Sequence, residues 1–309
     1  MNRLLDGICA CVVANRAASA GAIAVVALGA SACGVSPGEA SVGSVSQATI
    51  CGADDMQDVE LYDGSLGPSV DFVTRKAGPV GILRWRSDLA SRYTDPGDAA
   101  GKSRCTATLI APDLILTAGH CFTPSVGQRF PLDNGTHQFI SADVAATEMR
   151  FVLGFERSSS GAILAGTAFQ VTALLERQDA VDVDYAVLRV AGSPGATFGI
   201  NIPSPFPLRV GDPVTIVQHP LGQPKQIAAG PVVGISATKL SYTADTDSES
   251  SGSGVLSDRT GFLSAVHTDG ECTETGEGSN SGGPIANIWA VSPLVRTASF
   301  DASKLAAAL

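Results

Sequence analysis

Basic residues are scarce in this 309-residue chain. Lys and Arg number 20 against 30 Asp and Glu, which gives a net charge of −10 and a pI near 4.8. Nucleic-acid binders carry a basic patch or stripe, so nucleic acid is excluded as a partner. No run of like charges and no internal repeat occurs, which removes charged tails, solenoids and propellers. No dinucleotide glycine fingerprint, phosphate-binding loop or metal-ligand cluster is present, so neither a cofactor nor a metal is expected. The apolar stretch from Ala17 to Ala32 is shorter than the roughly 20 residues that span a bilayer.

Apolar and turn-forming residues are what the chain has. At 44% apolar it can bury a sizeable core. Gly and Pro, 34 and 17 residues, together exceed the roughly 12% usual in proteins and point to many turns and short strands.

The N-terminal end reads as an address. Arg3 and Arg16 precede the Ala17–Ala32 stretch, which ends in Ala30-Ser31-Ala32 just before Cys33. That fits an export signal over residues 1–32 with a small-residue cleavage site. It also resembles a bacterial lipobox, in which Cys33 becomes the lipidated first residue, with Ala30 standing where Leu is usual. Simple cleavage without lipid is the alternative. Residues 33–50 are Gly/Ser-rich and read as a flexible tether. Of seven cysteines, Cys9 and Cys11 leave with the signal. A lipid on Cys33 leaves an even four, Cys51, Cys105, Cys121 and Cys272, suited to disulfides in an oxidising compartment. The expected location is secreted or cell-envelope, with membrane contact only through a lipid on Cys33.

From residue 51 to 309 nothing reads as a linker. Strands are expected at Pro79–Trp85, Ala107–Ile110 and Leu114–Thr117, the last two flanking Ala111-Pro112-Asp113 as a turn. Further strands are expected at Tyr185–Val190, Pro213–Val217 and Gln226–Ile235, and on either side of a loop at Ser257–Gly261. Only the end, from Asp301 as N-cap, reads as a helix. Short, frequent strands without intervening helices indicate an all-β barrel or sandwich.

Three segments carry chemistry. The stretch Cys105–Cys121, CTATLIAPDLILTAGHC, resembles the corresponding stretch of trypsin-like serine proteases, with His120 just before the second cysteine. A hydrolase of this kind needs a histidine to take a proton from its nucleophile and return it to the leaving group. Asp184, in Asp184-Tyr185-Ala186-Val187-Leu188, matches the family's carboxylate motif; Asp182 lacks it and reads as a solvated loop residue. The segment Tyr242–Leu256, YTADTDSESSGSGVL, resembles the family's serine motif and places the nucleophile at Ser251, followed by Gly252. Ser253 and Ser281 are rivals, Ser281 because Asn280-Ser281-Gly282-Gly283-Pro284 looks locally like the animal-trypsin motif. The order His, Asp, Ser is that of chymotrypsin-type enzymes.

Several segments are closer to bacterial glutamyl endopeptidases: Gly52–Val59, Gln218–Lys225, Asp245-Thr246 and Ala265-Val266-His267. The resemblance implies two six-stranded antiparallel β-barrels with a short C-terminal helix, and endopeptidase action on protein or peptide substrates by a monomer. It implies an S1 pocket lined by Thr246 and His267, whose hydroxyl and imidazole suit a glutamate side chain. A purely structural role for His267 stays open. His219 and His137 read as structural. The resemblance further implies a Cys105–Cys121 disulfide beside His120, which leaves Cys51 to pair with Cys272. Two departures stand out. Glu249 occupies the position of a glycine whose N–H, with that of Ser251, forms the oxyanion hole. A residue other than glycine resists the left-handed backbone such a position often needs by about 1–2 kcal/mol. Gly254 stands where a proline is usual, which predicts a looser turn after the nucleophile. An impaired homologue acting as a binding lipoprotein is therefore the competing reading.

Overall fold

The computed structural model describes residues 50–124, 130–273 and 275–299. The export signal, the tether, Cys33 and the helix expected from Asp301 lie outside the described residues.

The chain enters through a two-residue strand, β1 (Gln57–Asp58), and a helix, α1 (Val70–Ala77). Six antiparallel strands follow: β2 (Val80–Trp85), β3 (Ser103–Leu109), β4 (Leu114–Thr117), β5 (Met149–Arg157), β6 (Ile163–Asp179) and β7 (Asp184–Val190). They close into a barrel in the order β2-β3-β4-β7-β6-β5. The β3–β4 hairpin turns at Ala111-Pro112-Asp113, with the Ile110 N–H donating to the Leu114 carbonyl. Strand β7 is buried along almost its whole length. Its exposed member, Arg189, pairs with Asp113 beside the same hairpin.

A second set comprises β8 (Pro213–Gln218), β9 (Gln226–Ile235), β10 (Leu240–Tyr242), β11 (Gly254–Ser257), β12 (Leu263–Asp269) and β13 (Asn280–Pro284). These run in the order β9-β10-β13-β12-β11-β8, and β8 pairs back onto β9 to close the second barrel. Strand β1 lies along β9 outside it. The two six-stranded barrels are the architecture expected. The apolar core is continuous between them: Leu256, Leu263 and Val266 of the second barrel pack in the same cluster as Leu109, Leu116 and Val187 of the first.

The helices correct the sequence reading. Besides α1, short helices α2 (Ala142–Thr147), α3 (Gly195–Phe198), α4 (Ile285–Val291) and α5 (Pro293–Ala298) occur among the described residues. Helix α1 carries the usual end signals: the Ser69 hydroxyl accepts from the Phe72 N–H, and Gly78 follows its last residue. No helix among the described residues is long and apolar enough to cross a membrane.

Candidate active site

His120 lies in a short 3-10 turn (Gly119–Phe122) directly after β4. Cys121 is bonded to Cys105 on β3, so the turn is fastened to the neighbouring strand directly after His120. A closed loop of this length stabilises by about 3 kcal/mol in the chain-entropy account. Asp184 opens β7, the strand paired with β4. Its Oδ1 accepts from the N–H groups of Gly119 at 2.6 Å and His120 at 3.0 Å. Its Oδ2 lies 2.6 Å from His120 Nδ1. One carboxylate thus orients both the turn and the ring. Glycine is required at 119 by close approach: a Cβ there would meet the Gln178 carbonyl oxygen at 1.8 Å.

Ser251 sits in the turn before β11. That turn is braced by Ser250, whose N–H donates to the Asp247 carbonyl and whose carbonyl accepts from the Ser253 N–H. The Ser251 carbonyl accepts from the Thr106 N–H on β3 at 3.0 Å, so the turn docks on the first barrel. Gly252 has φ 87°, and a Cβ there would lie 2.0 Å from Thr117 Oγ1 and 2.9 Å from the Ala118 nitrogen. The serine turn therefore presses on the residues that lead into His120. Of the rivals, Ser253 is fully buried. Ser281 lies within β13, across from Ser241 and Asp269.

The two departures from the family motif resolve differently. Glu249 has φ 66°, the left-handed conformation expected to be costly there. Its carbonyl accepts from Thr106 Oγ1 at 3.0 Å. Gly254 opens β11. A Cβ at 254 would meet Leu263 Cδ1 at 2.4 Å, so glycine there permits tight pairing of β11 with β12.

Behind the serine turn, His267 on β12 is fully buried. Its Nδ1 lies 2.6 Å from the Tyr242 hydroxyl. Its Nε2 makes no hydrogen bond of good geometry among the described residues, with the Ser281 backbone beside the ring. Burial is the main cause that pushes His267 down to about 3, so the ring is neutral. Burial likewise raises the Tyr242 hydroxyl well above its ordinary range. Thr246 Oγ1 is also buried without a partner among the described residues. His219 is structural: buried, stacked on Phe155, and hydrogen-bonded through Nδ1 to the Gln223 carbonyl. His137 is a surface residue with φ 54°. Cys105, His120 and Cys121 bring potential metal-binding atoms together, but the two sulfurs are committed to each other.

The segment after Cys51 is pinned to the same barrel. Cys51 is bonded to Cys272. The Cys51 and Asp55 N–H groups donate to the two oxygens of Asp245, at 2.6 and 3.2 Å. Asp245 directly precedes Thr246, and no sequence signal had marked it as an anchor for this segment. The Asp55 carboxyl is raised to about 6, by desolvation first and then by the Asp245 carboxylate, though the residue stays at the surface. Because the folded value lies above the ordinary one, the associated stability is complete below about pH 4. It is lost as pH rises through about 6. Asp55→Asn removes this loss: in melting curves from pH 4 to 7, the wild type falls relative to the variant. Parallel profiles for the two proteins would contradict it.

A model of the trypsin-like peptidase domain matches residues 105–266, just over half of the chain. The chain belongs to the trypsin-like peptidase family. No curated protein matches it. Among solved structures, this trypsin-like peptidase is similar to a Glu endopeptidase in complex with MPD. The two share 19% identity, with 78% of this chain and 96% of the other covered, at a TM-score of 0.51. It is also similar to AL20, a thermostable serine protease from an extremophilic microorganism, at 13% identity and a TM-score of 0.46, covering 68% and 93%. The first likeness bears on the fold of the peptidase.

Proposed function

We propose that this peptidase cleaves peptide bonds through His120, Asp184 and Ser251. The observation that carries the reading is the Asp184–His120 hydrogen bond with the Ser251 turn packed against the residues leading into His120. In this reading Nδ1–H of His120 donates to Asp184, which leaves Nε2 to accept the Ser251 proton. The hydroxyl oxygen attacks the scissile carbonyl. His120 then returns the proton to the leaving amine, and water repeats the cycle on the acyl-enzyme. The N–H groups of Glu249 and Ser251 receive the developing oxyanion. A fluorophosphonate probe is expected to label the mature protein at Ser251. Absence of both labelling and proteolysis, with peptide binding retained, would favour the competing reading of a non-catalytic binding lipoprotein, to which Glu249 in the oxyanion position points.

For specificity we propose a pocket for glutamate before the cut. Tyr242, donating to His267 Nδ1, leaves a hydrogen on Nε2; Thr246 offers a hydroxyl. Two buried polar groups without a well-formed hydrogen bond among the described residues cost about 1–3 kcal/mol each, and a substrate carboxylate accepting from both removes that cost. The Glu endopeptidase among the structural neighbours is consistent with such a preference. A peptide-library profile is expected to show acidic residues at this position, and the preference to collapse at least tenfold in His267→Leu. A profile without acidic bias sinks the pocket and leaves the hydrolysis intact. The domain plan follows the sequence: export by residues 1–32, a tether over 33–50, lipid anchoring at Cys33, and peptidase over 51–309. Two disulfides suit a secreted or envelope location.

A further inference from the structure

Thr106 occupies an unusual place in the hydrogen bonding. It is fully buried on β3. Its Oγ1 accepts from the His219 N–H at 3.1 Å and donates to the Glu249 carbonyl at 3.0 Å. Its own N–H donates to the Ser251 carbonyl at 3.0 Å, and its carbonyl accepts from Thr117 Oγ1 at 2.7 Å. Because a backbone N–H can only donate, the His219 bond leaves the hydroxyl hydrogen of Thr106 for Glu249. One residue of the first barrel thus holds the carbonyls of both residues whose N–H groups are proposed to form the oxyanion hole. A carbonyl shares its peptide plane with the N–H of the next residue, so Thr106 reaches Glu249 from the carboxyl side of its Cα and acts on the backbone angles of Glu249 rather than on its N–H directly. Glu249 needs such a hold, because its φ of 66° is one that L residues resist.

Arg104 lies two residues earlier on the same strand. Its guanidinium donates to the carbonyls of His120, Cys121 and Thr123, at 3.3, 2.8 and 3.2 Å. Burial lowers it to about 10, and the charge of Glu249 acts in the opposite direction.

Resting on the reading of Ser251 as nucleophile, we propose that Thr106 is a positioning residue. It holds Glu249 in a glycine-like backbone and so preforms the oxyanion hole in a chain that lacks the glycine.

A double-mutant cycle tests this. Thr106→Val is expected to lower kcat by roughly thirtyfold with KM changed less than twofold, the pattern of a loss confined to the transition state. Thr106→Ser, which keeps the hydroxyl, is expected to restore most of the rate. In a Glu249→Gly background the same Thr106→Val change is expected to cost less than threefold, because glycine adopts the conformation unaided. Equal losses in the two backgrounds, or no loss in either, overturn the proposal. If Thr106→Val melts below assay temperature, Thr106→Ala in both backgrounds gives the same comparison. A wild-type chain that neither hydrolyses peptides nor takes a fluorophosphonate removes the underlying reading; an active wild type with equal losses removes this inference alone.

Discussion

Ser251→Ala is expected to lower peptide hydrolysis by roughly a million-fold, the scale seen when the nucleophile of such a triad is removed. This corresponds to about 8 kcal/mol of transition-state stabilisation. The fold should be untouched. Ser251 is held through its backbone carbonyl, and its neighbours Ser250 and Gly252 make the turn. Melting temperature and circular dichroism are therefore expected to match the wild type, while fluorophosphonate labelling disappears. Labelling that persists in the variant would move the nucleophile elsewhere. Ser253 has its side chain enclosed, and Ser281 is a strand residue of β13, so neither presents an obvious replacement.

Asp184→Asn is expected to cost roughly ten-thousand-fold in kcat with little loss of stability. The structure supplies the reason. One oxygen of Asp184 takes two backbone N–H groups, and the other takes the His120 ring. An asparagine keeps a carbonyl oxygen for the two N–H groups and must then turn its amide nitrogen toward Nδ1. Nδ1 becomes an acceptor, the ring hydrogen moves to Nε2, and the atom that should accept the serine proton already carries one. Asp184→Ala loses the backbone contacts as well, so it is expected to lower the melting temperature in addition to the rate. A kcat for Asp184→Asn within tenfold of wild type would remove Asp184 from the proposed triad.

Much of this architecture was legible because its determinants are local. The β3–β4 hairpin announces itself by Pro112-Asp113 between apolar runs. His120 and Asp184 stand at strand ends with short family motifs around them. The Cys105–Cys121 bridge, 16 positions apart, belongs to the same local motif, whereas Cys51–Cys272, 221 positions apart, followed only by elimination; both are formed. Strand β6 was missed because much of its length is exposed and lacks a sharp alternation of apolar and polar residues. Helix α1 was missed although Ser69 and Gly78 mark its ends and Val70, Val73 and Ala77 recur at helical spacing, because eight residues make little more than two turns. Thr106 gave no signal at all. Its partner Glu249 is 143 positions away, and only the packing of one barrel on the other brings them together.

That packing has a consequence for biosynthesis. In the proposed triad the base and its carboxylate belong to the first barrel and the hydroxyl to the second. The strands β12 and β13, which complete the second barrel, are made only after the serine. An unfinished polypeptide emerging from the ribosome therefore has no assembled cutting machinery. The producing cell is spared premature digestion of itself and of the newborn chain until these two strands have been made.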